Sequence, residues 1–457
     1  MKRALQELRR VLGEDRVAEG PDMRARYARD FGGHDLGRAL SAAYPGSLED
    51  ARAVVSWARR HGIALTPVGA QTSFWASTRV EGRLVVDLRR MDRLLAVDAE
   101  NLTATAQAGI SVASLDAALA AQGLFLPVCP DGFGDATVGS MIANDTSAGH
   151  GMFDGSIGEH VVSLTAVLGT GEVLRTGASS SLEGLPAFSR AGLPDFTGLF
   201  LGSEGSLGLV TDVTLRVRPA PLRRALAVSG GGPDALVAAA RELRHGGLCY
   251  GLRRDSHAVS GRERTLLELA AYGGPEDLAA REARAREILA RRGLGAAAAP
   301  EEPRWQPREG MAAGWKGVSV ALPYSNLEAV RRLWTERLRA QVAGLAAPEG
   351  EGFLRLYFGS GAAAALVGWS HRPDDQAAHE RAACEIRALL LRFGVPYRIG
   401  TVWRTLVAGR LDPVYRSLLG RVKQLCDPDA ILNPAVGAFP VPMTAPRARR
   451  AARRRRR

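Results

Sequence analysis

Three stretches of small and hydroxylated residues carry most of the chemistry open to this sequence. The first, Thr66-Pro-Val-Gly-Ala-Gln-Thr-Ser73, lies between two short apolar runs. A compact loop of this kind exposes consecutive backbone N–H groups, and Thr72 and Ser73 add hydroxyl donors, so the loop suits a diphosphate. The second runs from Asp131-Gly-Phe-Gly-Asp-Ala-Thr-Val-Gly-Ser140 into Met-Ile-Ala-Asn-Asp-Thr-Ser-Ala-Gly-His-Gly151. Its glycines admit close approach of a ligand to the backbone, while Asn144, Thr146 and Ser147 offer hydrogen-bonding side chains. The third, Gly202-Ser-Glu-Gly-Ser-Leu-Gly208, is a turn that leads into an alternating strand. Taken singly, each is also what an ordinary turn looks like.

Other chemistries lack their residues. No GxGxxG follows a strand pattern, and there is no GxxxxGK[ST], HExxH, HxH or GxSxG. The eight histidines are dispersed, and the four cysteines (Cys129, Cys249, Cys384, Cys426) form no CxxC pair. That spacing argues against a disulfide framework or a structural zinc site and favours buried thiols. A chain with many small-residue loops and few nucleophiles fits a protein whose cofactor does the hard chemistry.

The elements around the loops alternate helix and strand. Ser47-Leu-Glu-Asp50 starts a helix that ends at Gly62, and strands follow at Ile63–Val68, Leu84–Leu88 and Leu102–Ala106. Ser111–Gln122 has helical spacing and stops at Gly123. From Val128 to Gly155 periodicity fades, which reads as a long functional loop. Gly169-Thr-Gly171 marks a hairpin, and Val210–Arg218 alternates with Val213, Leu215 and Val217 on one face. Pro219 and Pro221 then mark a domain boundary. Beyond it, helices at Asp277–Arg292 and Leu327–Ala343 separate strands at Gly317–Leu322 and Phe353–Phe358, while Gly293–Arg304 reads as a loop. A last helix spans Pro413–Cys426.

Length and charge set the frame. At 457 residues, the chain suits two or three domains. Its longest apolar runs fall short of the roughly 18 residues that span a bilayer, and the N-terminus lacks an apolar signal core, so a cytoplasmic protein is expected. The net charge of +12 suggests nucleic acid, yet eight of those charges are arginines in Pro446–Arg457. Such a run reads as a solvated, disordered tail, or as one loosely held by anionic lipid or RNA, and no specific nucleic-acid motif accompanies it.

In order and separation, the three loops resemble the FAD-linked oxidases of the p-cresol methylhydroxylase / vanillyl-alcohol oxidase superfamily, with an FAD domain like that of the glycolate oxidase D-subunit. So do the hairpin Val161–Arg175, the segment Thr197-Gly-Leu-Phe-Leu-Gly-Ser-Glu-Gly-Ser-Leu-Gly-Leu-Val-Thr211 and Leu425-Cys-Asp-Pro-Asp-Ala-Ile-Leu-Asn-Pro434. The resemblance runs from about Tyr44 to Pro440. It implies an α+β fold: a two-subdomain FAD-binding domain of the p-cresol methylhydroxylase (PCMH) type plus an antiparallel-sheet cap domain with flanking helices. The implied units are an N-terminal helical segment 1–40, the FAD domain 41–221, the cap 222–402, returning helices 403–440 and the Arg-rich tail 441–457.

The same resemblance implies roles. Val68, Gly69, Ala70, Gln71, Thr72 and Ser73 would form the diphosphate loop. Asp131, Thr137, Val138, Gly139, Ser140, Asn144, Ser147 and Gly149 would hold the diphosphate and the isoalloxazine edge, with Glu204, Gly205 and Val210 near the adenosine. Ala70 and Gln71 stand where glycines are more usual. The first loop has no histidine, which implies non-covalent FAD; His150 reads as structural. The branch that oxidises 2-hydroxy acids usually carries metal-binding cap histidines, absent from Val395-Pro-Tyr-Arg-Ile-Gly-Thr-Val-Trp-Arg404, so no metal is expected. Tyr397-Arg398 instead resembles the pair that holds a phenolate in the 4-alkylphenol branch; a guanidinium and a phenol would stabilise a bound oxyanion. Arg355, Tyr357 and Arg404 are further candidates for an anionic substrate.

The implied activity is hydride transfer from a 2-hydroxy acid or phenolic substrate to flavin N5, with dioxygen, a quinone or a redox protein as electron acceptor. A homo-oligomer fits equally. An inactive flavin-fold subunit of a redox complex and a basic nucleic-acid-binding protein remain alternatives.

Overall fold

The computed structural model describes residues 1–128, 134–146, 154–181, 187–190, 194–300, 315–348, 350–359, 361–371 and 376–439. Asp131, Ser147, Gly149, His150 and the Arg-rich tail lie outside them.

The first lobe is a mixed sheet of β1 (Val17–Ala18), β2 (Ser41–Ala43), β3 (Leu65–Val68) and β4 (Leu84–Asp87), in the order β1-β2-β4-β3. β2, β4 and β3 run parallel, and β1 is antiparallel to β2. The expected N-terminal helical segment thus contributes a strand as well as the helix Lys2–Leu12. Parallel neighbours need a helical crossover, supplied by Leu48–His61. Ser47 caps it by accepting from the Asp50 N–H, and left-handed Gly62 ends it. Trp57 Nε1 donates to the Ala4 carbonyl at 2.7 Å, docking the N-terminal helix on the crossover.

The second lobe is an antiparallel sheet of β5 (Leu94–Asp98), β6 (Thr103–Gln107), β8 (Val161–Leu168), β9 (Val173–Arg175) and β10 (Gly208–Arg216), in the order β5-β6-β10-β8-β9. A short ribbon pairs β7 (Leu124–Phe125) with β11 (Arg218–Pro219). β10 is central, so Thr214 on its second face is buried too and shares a hydrogen bond with Thr105. The expected long loop contains the helix Val138–Asn144, capped by Thr137. Only two turns long, it is too short for its periodicity to register.

The chain leaves this lobe at Pro219 and enters an eight-stranded antiparallel sheet at Leu222. Its strands are β12 (Leu222–Gly230), β13 (Gly251–His257), β14 (Glu263–Ala271), β15 (Leu294–Ala299), β16 (Trp315–Leu322), β17 (Gly352–Phe358), β18 (Ala363–Ser370) and β19 (Val395–Pro396). Their order is β15-β12-β14-β13-β17-β18-β16-β19. Gly293–Arg304, expected as a loop, supplies the edge strand β15; its alanines favour helix intrinsically, and pairing with β12 overrides that preference. Helices Pro233–His245, Pro275–Arg291 and Gln376–Leu390, and the run Leu327–Leu345, pack against the same apolar core as this sheet. The run is not one α-helix as expected, because Trp334–Leu338 forms a π-helical turn.

The helix Pro413–Cys426 returns the chain to the first lobe, where Leu432 bridges Leu65 of β3 in parallel register. Asn433 N–H donates to the Leu65 carbonyl at 2.8 Å, so the Asp-Pro-Asp-Ala-Ile-Leu-Asn-Pro segment extends that sheet.

Candidate functional site

Three turns meet in one cleft: the loop after β3, the start of the helix Val138–Asn144, and the Ser203–Gly205 turn before β10. The cleft encloses about 840 Å³ of space, a figure that includes open solvent. Its wall includes Val68, Gly69, Gln71, Thr72, Ser73, Thr137, Gly139, Ser140, Asn144, Glu204, Gly205 and Val210. Ala70 is not part of that wall, and Val138 belongs to the core of the second lobe. Asp30, Ser77, Thr78 and Ala108 also line the cleft and were not anticipated.

Glycine leaves room where neighbouring side chains crowd the turns. A Cβ on Gly69 would lie 2.2 Å from Thr137 Oγ1, and one on Gly205 would lie 2.4 Å from Pro67 Cγ. Gly139 N–H donates to the Ala108 carbonyl at 2.7 Å, pinning the second turn against the second lobe. Gln71 takes the left-handed conformation at φ 57°, so the loop keeps a glycine-like bend without the glycine.

Glu204 is buried at the junction of all three units. Its Oε1 accepts from the Gly400 and Ile399 N–H groups at 2.8 and 3.2 Å, while Oε2 has no hydrogen-bond partner. Burial pushes the carboxyl up to about 7, against the pull of those two N–H groups and the Arg398 charge. Asn433 Nδ2 donates to the Glu204 carbonyl at 2.7 Å and to the Ser77 carbonyl at 3.1 Å, tying the third turn to the first loop. Lys423 supports the same turn: Nζ reaches the carbonyls of Ser206 and Leu432 and sits 2.6 Å from Asp427 Oδ2. The Asp-Pro-Asp-Ala-Ile-Leu-Asn-Pro motif is therefore a clamp on the cleft, a role its sequence did not reveal.

Tyr397, Arg398 and Arg404 are not on the cleft wall. Arg398 is buried, donates to the Tyr397 and Asp145 carbonyls, and places its guanidinium carbon 4.1 Å from the Tyr397 ring centre. Arg404 Nη2 donates to the Phe439 carbonyl at 3.1 Å. These guanidinium groups fasten the 397–404 segment to its neighbours. Arg355 pairs with Asp255 at 2.6 Å across β17 and β13.

Asp30 was missed because its partners are remote in sequence. Its Oδ2 accepts from the Ala76 N–H at 2.9 Å, and His34 Nδ1 lies 3.1 Å from Oδ1. On the other ring edge, His34 Nε2 lies 3.3 Å from Glu380, which also meets Lys316 at 3.2 Å and Arg387 at 2.7 Å. Burial pulls the imidazole down, but its two carboxylate partners outweigh that and hold its pKa above the usual value. Beside this network, Phe74 packs edge-on against Trp315 of β16 with ring centres 4.5 Å apart. Cap and cofactor loop thus meet through both charge and aromatic contact. Among the described residues no group of three or more His, Cys, Asp or Glu side chains is arranged to hold a metal.

Comparison with known proteins bears on part of the segment that lines the cleft. Residues 39–177 match the family described as FAD binding domain. The chain carries an FAD-binding domain. The cleft fits that cofactor: hydroxyls and backbone N–H groups surround close-approach glycines for a diphosphate, and the unpartnered Glu204 oxygen can meet a ligand hydroxyl or amine. Over 178 residues the chain is 33% identical to glycolate oxidase subunit GlcD of Bacillus subtilis, covering 39% of this chain and 36% of that one. Over 196 residues it is 33% identical to D-2-hydroxyglutarate dehydrogenase of Xanthomonas citri pv. viticola, covering 43% and 40%. Each match spans well under half of the relative's length. In fold, the chain is similar to 4-ethylphenol oxidase from Gulosibacter chungangensis, with TM-score 0.78, 16% identity and 97% of both chains covered. p-Cresol methylhydroxylase aligns with TM-score 0.77, 15% identity and the same coverage. The α+β architecture is therefore that of the PCMH-type FAD oxidases.

Proposed function

We propose that this protein is an FAD-dependent oxidase or dehydrogenase that takes hydride from a small hydroxylated substrate, at the carbinol carbon of a 2-hydroxy acid or at the alkyl carbon on the ring of a 4-alkylphenol. The observation that carries the reading is the glycine-lined cleft at the junction of both lobes and the C-terminal clamp, within and beside the FAD-binding match. Bound there, FAD supplies a two-electron acceptor. Val68, Gly69, Gln71, Thr72 and Ser73, with the Thr137 hydroxyl, would hold its diphosphate through N–H and hydroxyl donors, and no covalent link is expected since no histidine stands in the first loop. Phe74 and Trp315 limit water at the cap seam. Tyr397 is the residue proposed to meet the substrate oxygen, with Arg398 acting on the ring rather than on substrate, because its Nη1 and Nη2 groups serve carbonyls. Arg404 acts at one remove, through Phe439. The relatives whose names include glycolate oxidase and D-2-hydroxyglutarate dehydrogenase favour the hydroxy-acid class, and the fold neighbours favour phenols.

A second reading is a flavin-fold subunit without catalysis of its own, favoured by the commitment of the Arg398 and Arg404 guanidinium groups to backbone carbonyls. One experiment separates the two. The visible spectrum of purified protein is recorded before and after acid precipitation, then during anaerobic addition of phenols and 2-hydroxy acids. Flavin that stays in the supernatant and is bleached by one class supports the proposal. A flavin that no substrate bleaches favours the subunit, and a colourless protein that FAD does not reconstitute removes both.

A further inference from the structure

The helix Pro413–Cys426 has an outer face that none of the described residues covers. Val414, Leu418 and Leu425 are 75%, 51% and 74% exposed. At 100° per residue they fall within about 40° of one another around the helix, and the Arg421 position lies in the same arc. Tyr415, 56% exposed, sits beside the first of them. The opposite side is anchored: Leu419 and Val422 pack on the second-lobe core, and Lys423 and Cys426 are buried. Exposed leucines in a row on a fixed helix differ from singly scattered surface apolar residues, which are normal.

The charges around the face have one sign. The helix contains no Asp or Glu, and Arg416 and Arg421 are exposed on it. The last described residue, Phe439, is held by Arg404, which feels the charge of Arg416 near the start of this helix. Arg416 lies on the side of the helix away from Val414, Leu418 and Leu425, and the arginine-rich run Pro446–Arg457 begins twenty residues beyond Cys426 in the sequence. A second copy docked face to face would bring like charges together, whereas an anionic lipid surface would neutralise them.

We propose that the helix Pro413–Cys426 is a membrane-docking element, which lays its outer apolar face into the headgroup boundary of an anionic bilayer with the arginine-rich segment as the electrostatic second signal. Leucines at helical spacing enter the acyl boundary, Tyr415 sits at headgroup depth, and Arg421 extends its charged end to the lipid phosphates. Stable peripheral binding takes two such signals, and this chain has both. No helix among the described residues is long and apolar enough to cross a membrane, so the attachment is peripheral. The inference is independent of the redox reading.

The test is flotation of the full chain with phosphatidylcholine vesicles, with and without about 30 mol% phosphatidylglycerol. The wild type is expected to float only with the anionic vesicles. The Leu418→Glu/Leu425→Glu variant should lose at least about tenfold in partition, because it replaces two inserting apolar groups with repelled charges. Leu222→Glu/Val259→Glu, at two exposed apolar residues outside this helix, serves as the charge-matched control and should float like the wild type. A chain ending at Ala445 should bind weakly. The proposal is overturned if the wild type floats with neither vesicle, or if the double variant floats as well as the wild type. In that second case the arginines act alone as a polycation, and equal binding of both proteins to poly(U) would confirm it. It is equally overturned if light scattering shows a wild-type dimer that the double variant splits.

Discussion

Replacing Gly69 by alanine tests the cleft at its tightest point. The new methyl would lie 2.2 Å from Thr137 Oγ1 and 3.4 Å from Ser140 Cβ and Thr137 Cβ. The obstacle is therefore one hydroxyl oxygen, and that oxygen caps the helix Val138–Asn144 by accepting from the Ser140 N–H. Two escapes exist. Thr137 can rotate, giving up a cap worth about 1 kcal/mol, or the loop can retreat at an overpacking cost of about 1–3 kcal/mol. Either one displaces cleft wall, so a cost of about 1–3 kcal/mol appears as FAD affinity weakened roughly 5- to 150-fold. Thr137→Ala alone loses the cap and one hydroxyl donor of the cleft wall, about 1 kcal/mol each. In the double variant the clashing oxygen is gone and only ordinary contact remains, so its affinity should match Thr137→Ala alone, a coupling of about 2 kcal/mol. Quenching of flavin fluorescence on titrating FAD into the apoprotein measures all four corners, with circular dichroism confirming that each variant folds. Wild-type affinity for Gly69→Ala would refute the reasoning, as would losses that simply multiply in the double variant.

The other expectations are shorter. Lys423→Met strands the buried Asp427 carboxylate and should cost about 3–5 kcal/mol in urea unfolding, with Lys423→Met/Asp427→Leu recovering much of it. Glu204 has a folded pKa of about 7 against an ordinary 4.5, so its contribution is fully present below pH 4.5 and is lost as pH rises through 7. Glu204→Gln should flatten the fall of melting temperature across that window, and an unchanged slope would remove Glu204 as its source. Gln71→Gly relieves a left-handed glutamine at a strain of about 1–2 kcal/mol and adds unfolded-state entropy of up to about 1 kcal/mol, so the melting point should hold or rise slightly.

Where a residue's role depends on its immediate neighbours, residue type was enough to read it. Ser47 and Gly62 bracket a helix because a hydroxyl satisfies an end N–H and glycine tolerates the left-handed stop. Thr72, Ser73, Thr137 and Ser140 all line the cleft, and their hydroxyls could be read as candidate donors because they sit on the loops themselves. The helix Val138–Asn144 and the strand β15 escaped, one because two turns hold too little periodicity and the other because its alanines favour helix until β12 pairs with them.

The links among remote segments were not legible. Glu204 meets Ile399 and Gly400 from 195 and 196 residues away, and Asn433 reaches back 356 residues to Ser77. Nothing in Tyr397-Arg398 as a dipeptide reveals that the guanidinium is already committed to the Asp145 carbonyl. Asp30 becomes a cleft residue only because His34, Ala76 and the cap's Glu380 converge on it and its neighbour. Hydrogen bonding and close packing act over a few ångströms in space, whatever the separation along the chain. The composition of each loop therefore follows from its own residues, whereas the contacts of Asp30, Glu204 and Arg398 exist only once the two lobes, the cap and the C-terminal clamp have closed around the cleft.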